Sequence, residues 1–147
     1  MNTKEKDIKM LAILRKSFGR DGKTNTQLDK IMNIFFDKGY IGAMPYDEYP
    51  MNKKGESYAI VNTDNKKGVH WIACYRNKNK LYVYDSYGRI LDRLVPDFCE
   101  TLQGAGFQII QSNHDIDQGQ KAQDCGLRCV SWLLCCKNLG VTEAMTI

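Results

Sequence analysis

The run Cys125–Lys137 constrains this chain most, because it is apolar almost all round. A helix with no polar face must be covered on every side, so the spacing predicts a central buried helix rather than one lying on a surface. Immediately before it, Gln118-Gly119-Gln120-Lys121-Ala122-Gln123-Asp124 is a polar loop. That loop delivers Cys125 to the first turn of the helix, with Gly126 next to it. One domain of 147 residues, 43% hydrophobic and 26% charged, is large enough to provide the cover.

Upstream, two predicted helices precede a group of strands. Ile8, Leu11, Ile13, Leu14 and Phe18 mark an apolar stripe over residues 3–18, ended by Gly19. Thr24 and Gln27 form a capping box for a second helix, in which Leu28, Ile31, Met32 and Phe35 share one face up to Lys38, with Gly39 as the stop. Residues 40–56 read as an irregular loop. Strands follow at Ser57–Asn62, Val69–Arg76 and Leu81–Ser86, the last two joined by a hairpin turn. If Asn77 and Lys78 form its two-residue loop, Cys74 faces Leu81, Ile72 faces Val83 and His70 faces Asp85. A slip of one residue would exchange the faces. Residues 90–104 read as a helix or turn interrupted by Pro96, and Phe107–Gln111 as a short strand. The whole is one α+β domain, with residues 1–24 as a helical extension of a core spanning 25–137.

Six cysteines could suggest disulfides, yet Cys129, Cys135 and Cys136 fall in the apolar helix, where free cysteine acts as a small hydrophobe. Their spacings lack the paired knuckles of a structural zinc site, so no metal is expected. No apolar stretch reaches membrane-spanning length and the Lys-rich start lacks the core of a secretion signal. A soluble, non-secreted protein is expected. The net charge of +4 is scattered, as on a solvated surface, although the cluster Lys4, Lys6, Lys9, Arg15 and Lys16 is also compatible with DNA.

Cys125 is the candidate nucleophile, since a helix N-terminus favours the thiolate and Asp124 suits the cap position. Against this stands a plain reading, in which Cys125 is the first of four buried helix cysteines. Gly126 favours the functional reading, because a cleft needs close approach to the backbone. Of the two histidines, His70 is the candidate base and His114, in a polar loop, the competitor. Asp85 would accept from the imidazole and fix its tautomer, although an aspartate at a strand end is common. Gln118, with Gln120 and Gln123 as alternatives, could donate its amide to an oxyanion.

Gly68-Val69-His70-Trp71, Tyr84-Asp85-Ser86-Tyr87-Gly88, Gln118-Gly119 and Cys125-Gly126-Leu127 together resemble the adenain family of adenovirus maturation endopeptidases. Ala59-Ile60-Val61-Asn62-Thr63 and the seven-residue step from Gln118 to Cys125 belong to the same resemblance. The SUMO-deconjugating cysteine proteases are similar more loosely, through the His-Trp, Asp and Asp-Cys-Gly elements. The resemblance covers roughly Leu28 to Leu134. It implies a papain-like core with a small mixed or antiparallel sheet and a catalytic set of His70, Asp85, Gln118 and Cys125. It further implies cleavage of viral capsid and core precursors at glycine-containing sites, in the virion and the infected cell; a monomer is expected. No cofactor is obligatory, while DNA or a short viral peptide would be the activators.

The departures from the family are specific. Asp85 stands where adenain has glutamate, as in the SUMO proteases. The hairpin after His70 is shorter, the N-terminus is longer, and the family's peptide-linking cysteine falls at Phe107. Cys99 is the nearest other thiol. Two rivals remain at this stage: a protease of ubiquitin-like tails, with Trp71 either lining a glycine tunnel or simply in the core, and a non-catalytic DNA-binding module.

Overall fold

The computed structural model describes residues 1–51, 55–63, 70–112, 117 and 123–147. Helices α1 (Thr3–Phe18) and α2 (Asn25–Phe35) precede the first strand, β1 (Tyr40–Pro45). Strands β2 (Glu56–Asn62), β3 (Trp71–Asn77) and β4 (Lys80–Tyr84) follow, then α3 (Leu91–Leu94), α4 (Pro96–Gly104) and β5 (Gln108–Gln111). The chain closes with α5 (Cys125–Leu139) and α6 (Val141–Ala144). The fold is α+β with a five-stranded mixed sheet in the order β1-β2-β3-β4-β5. The inner pairs are antiparallel and the two outer pairs parallel.

The period of two along the inner strands sorts side chains between two cores. Trp71, Ala73 and Tyr75 of β3 join Tyr84 of β4 beneath α1, α2 and α5. Ile72, Cys74, Leu81 and Val83 point the other way, against Phe98, Cys99 and Leu102 of α4. Both faces of the central strands are therefore covered. Helix α5 is buried along nearly its whole length, as its composition requires. Its Trp132 stacks on Tyr84 with ring centroids 5.6 Å apart and donates from Nε1 to the Ala144 carbonyl, so α6 folds back over it. All six cysteines are buried. No helix among the described residues is long and apolar enough to cross a membrane.

Helix α1 is part of this core. Leu11 and Leu14 pack into the α5 side, and Ser131 of α5 donates its hydroxyl to the Asp7 carboxylate at 2.5 Å. The capping box of α2 is complete, with Gln27 N–H donating to Thr24 Oγ1 at 3.2 Å and Thr24 N–H to Gln27 Oε1 at 2.9 Å. The helix nevertheless ends at Phe35 and not at Lys38. Phe36 turns extended to pack on the Tyr58 ring, 4.8 Å between centroids, and Lys137 donates to the exposed Phe35 carbonyl at 2.6 Å.

Two further expectations are corrected. Residues 40–45 form a strand, not a loop, because Asp29 of α2 accepts from Tyr40 Oη at 2.7 Å and from Ala43 N–H at 2.9 Å and so fixes β1 against β2. Pro45 is tolerated since β1 is an edge strand and Pro45 is its last residue. The hairpin register is displaced by two residues: Asn77 pairs with Lys80, Arg76 with Leu81 and Cys74 with Val83. Lys78 enters the left-handed region at φ 57° to make the turn. A shift of two preserves both faces, so the apolar pattern cannot distinguish the two registers.

Candidate active site

His70 and Asp85 lie just outside the ends of paired strands, immediately before β3 and immediately after β4. In the observed register they are not directly opposite. The contact is diagonal, yet His70 Nε2 and Asp85 Oδ1 stand 2.8 Å apart in a buried hydrogen bond. Asp85 opens a tight turn in which Gly88 N–H donates to the Asp85 carbonyl at 2.9 Å. Gly88 takes φ 65°, a conformation that suits glycine.

That turn supplies two further donors to the carboxylate. Tyr87 N–H reaches Oδ1 at 2.9 Å and Arg89 Nε reaches Oδ2 at 3.0 Å. Burial alone would raise the carboxyl pKa, but the His70 hydrogen bond and charge, the Tyr87 N–H and the Arg89 guanidinium outweigh it and hold Asp85 below the usual carboxylate range. The Tyr87 ring lies against the imidazole, 4.8 Å between centroids, and Arg89 stacks over the other ring partner at 5.3 Å from the Tyr87 centroid. His70 Nδ1 is buried and has no hydrogen-bond partner among the described residues. The ring is thus held at Nε2, and Nδ1 is the nitrogen left for chemistry.

Cys125 is the first residue of α5 and is 5% exposed. Burial pushes its thiol pKa up, against backbone N–H donors at Trp71, Gly126 and Cys125 itself that favour the thiolate, while the Asp124 charge opposes ionisation. The Trp71 donor matters for placement, since Trp71 directly follows His70. Burial is the largest of these influences, and it opposes the thiolate that the helix N-terminus favours.

Asp124 occupies the cap position but makes no capping hydrogen bond. Both of its oxygens are already committed: Oδ2 accepts from Arg15 Nε at 2.7 Å and from the same guanidinium's terminal nitrogen, and Oδ1 from Arg128 Nε at 3.0 Å. Gly126 is closely packed from the α2 side. A Cβ there would stand 2.9 Å from Leu28 Cδ2 and 3.5 Å from Lys23 Cβ. Trp71 is a core residue, 3% exposed, with Nε1 donating to the Lys23 carbonyl at 3.0 Å.

Gln118, its competitor Gln120, His114 and Val69 lie outside the described residues. Gln123, the remaining oxyanion candidate, is exposed. Asp117, next to Gln118 in the chain, is fixed beside the histidine pair, with its N–H donating to Ser86 O at 2.8 Å and its carboxylate accepting from Tyr84 Oη at 3.0 Å. Sequence reasoning missed Tyr87 and Arg89 as partners of the pair. The signal was present, since an aspartate followed at i+2 by a backbone donor and at i+4 by an arginine can satisfy both its oxygens within one turn.

No family model matches the chain, and no curated protein matches it. Among solved structures it is similar to the central domain of the uncharacterized Lpg1148 protein from Legionella pneumophila, at 17% identity and a TM-score of 0.49. That match covers 86% of this chain and 82% of the other.

Proposed function

We propose that the chain is a cysteine endopeptidase with an adenain-like, papain-type core, cutting structural or core precursor proteins of a DNA virus or virus-like element at glycine-containing sites. The observation that carries the reading is the buried His70–Asp85 pair, which holds one imidazole nitrogen and leaves Nδ1 unpartnered, next in sequence to the backbone donor of the Cys125 thiol. A structural histidine at 7% exposure would ordinarily satisfy both nitrogens, because an unpaired buried polar atom costs about 1–3 kcal/mol.

In this reading His70 Nδ1 takes the proton from Cys125 Sγ as the sulfur attacks the scissile carbonyl carbon. The imidazolium is stabilised by Asp85 and returns the proton to the leaving amine as the peptide bond breaks. The thioacyl enzyme is then attacked by water, which gives its proton to Nδ1, and the thiol is regenerated on release of the acid. Gln118 serves as the side-chain donor to the oxyanion, an assignment that rests on the family resemblance. DNA or a viral peptide is the proposed activator.

The reach of Asp85 to His70 at 2.8 Å favours a second reading, since aspartate is the carboxylate of the SUMO-deconjugating proteases that the motifs also resemble. Hydrolysis assays with glycine-containing precursor peptides beside SUMO and ubiquitin C-terminal fusions separate the two. Cleavage of the peptides alone, lost in Cys125→Ser and His70→Ala, is the expected result. Cleavage of the fusions alone would replace the substrate assignment. No cleavage of either, with or without DNA, would count against the enzyme.

A further inference from the structure

We infer that α1 is a positioning element for the nucleophile: Arg15 reaches across from that helix to bind and neutralise the carboxylate of Asp124, the residue before Cys125. The inference deepens the peptidase reading and rests on it for the role of the thiol.

Asp124 is nearly closed off from solvent, its side chain 5% exposed, and it carries no cap duty that would explain its place. Instead it sits between two guanidiniums, Arg15 from α1 and Arg128 one turn along α5, with side chains 22% and 15% exposed. Burial raises the Asp124 carboxyl pKa, and the Arg15 hydrogen bond followed by the Arg128 charge brings it below the usual carboxylate range, so Asp124 is ionised. An ionised aspartate beside a cysteine opposes the thiolate, and that opposition is present at Cys125. The two arginines bind that carboxylate, and in this inference their charge offsets it. Arg128 belongs to α5 itself, whereas Arg15 comes from a separate helix that is fixed elsewhere, to α5 by Asp7 with Ser131 and to α6 by Thr3 Oγ1 donating to Glu143 at 2.7 Å.

The same helix touches the chain just before Gln118. Lys4 Nζ stands 3.3 Å from Asp117 Oδ1. This half-exposed pair is weak, and the effect is assigned to Arg15. Among the described residues, the charged and titratable groups around the thiol are Asp124, Arg15 and Arg128, the neighbouring Cys129 of α5, His70 with Asp85 at the ends of β3 and β4, and Lys23, whose stem packs near Gly126 and whose Nζ donates to the Gly19 and Asp21 carbonyls. Of these, Arg15 is the only one contributed by α1.

The test reads ionisation directly and needs no substrate. Thiolate absorbance is followed as pH rises in the full chain and in Arg15→Ala, Arg15→Lys, Asp124→Asn and the Arg15→Ala/Asp124→Asn double variant. Each is paired with its own Cys125→Ser background, so that the difference isolates one thiol, and circular dichroism follows the fold. Arg15→Ala is expected to move the Cys125 midpoint up by roughly half to one pH unit, Arg15→Lys by less, and Asp124→Asn to move it down. The double variant is expected below the wild-type midpoint, close to that of Asp124→Asn, since with the aspartate charge gone its arginine partner has nothing left to neutralise.

A folded Arg15→Ala chain with an unchanged midpoint overturns the inference. Should that variant fail to fold, Asp124→Asn and the double variant decide: midpoints equal to wild type in both overturn it, and lowered midpoints support it. A chain that ionises as stated but cleaves nothing would sink the peptidase reading alone. A chain that cleaves while its midpoint ignores Arg15 would sink only the role of α1.

Discussion

The two halves of the site are buried to similar depth yet stand in opposite electrostatic states. At the sheet end, Asp85 is 2% exposed and remains ionised, because an imidazole, a backbone N–H and a guanidinium all point at it. At the helix end, Cys125 is 5% exposed and its thiol is pushed up, because its donors are backbone N–H groups and its nearest charge is an aspartate. Burial penalises both charged forms, and the number and charge of the donors decide which survives. In the proposed peptidase reading, the base is prepared in advance and the nucleophile ionises only when its proton moves to His70.

The largest expected effect comes from weakening the prepared half. Asp85→Asn removes the charge that stabilises the imidazolium and strands Arg89, so peptide hydrolysis should fall about 100- to 10,000-fold in kcat/KM. Thermal melts should also fall, since buried donors lose a charged acceptor. Unchanged hydrolysis would break the comparison, because it would make the pair structural.

A smaller effect tests the helix end. Gly126→Ala places a methyl 2.9 Å from Leu28 Cδ2, and Leu28 is fully buried with little room to yield. Urea melts should show a loss of about 1–2 kcal/mol, with much of it recovered in Gly126→Ala/Leu28→Val. Full additivity in the double variant would show that the contact with Leu28 is not what requires glycine.

The smallest effect is on acid stability. Asp85 and Asp124 have lowered pKa values in the fold, so their contribution is complete above about pH 4 and is lost as pH falls through the folded values. Asp7 works the other way: burial raises its pKa despite the Ser131 hydrogen bond, so it weakens the fold as pH rises past the ordinary carboxylate value. Melting temperature should decline below about pH 4 in the full chain, and less steeply in Asp85→Asn. Equal slopes would mean that other carboxylates dominate.

The pieces of the site that sequence reasoning found are those set by local chemistry. An all-round apolar run can only be a buried helix, and a polar stretch before it leaves Cys125 at its first turn. The His70–Asp85 contact was also legible, although the register behind it was displaced by two residues and the contact is diagonal. Long-range partners were not legible. Gly126 looks like a backbone opening until Leu28 arrives from α2, and Asp124 looks like a cap until Arg15 arrives from 109 positions away. Strand β1 was hidden for the same reason, since Asp29 of α2 fixes it through hydrogen bonds that no local pattern encodes.

The central claim is that Cys125 acts as a nucleophile through His70. It is tested most directly by incubating the full chain with a peptide vinyl sulfone ending in Gly-Gly and mapping the adduct by mass spectrometry, in wild type and in His70→Ala. The account predicts one adduct per chain, on Cys125, lost in the histidine variant. No adduct on Cys125, or equal labelling with and without the imidazole, would contradict it.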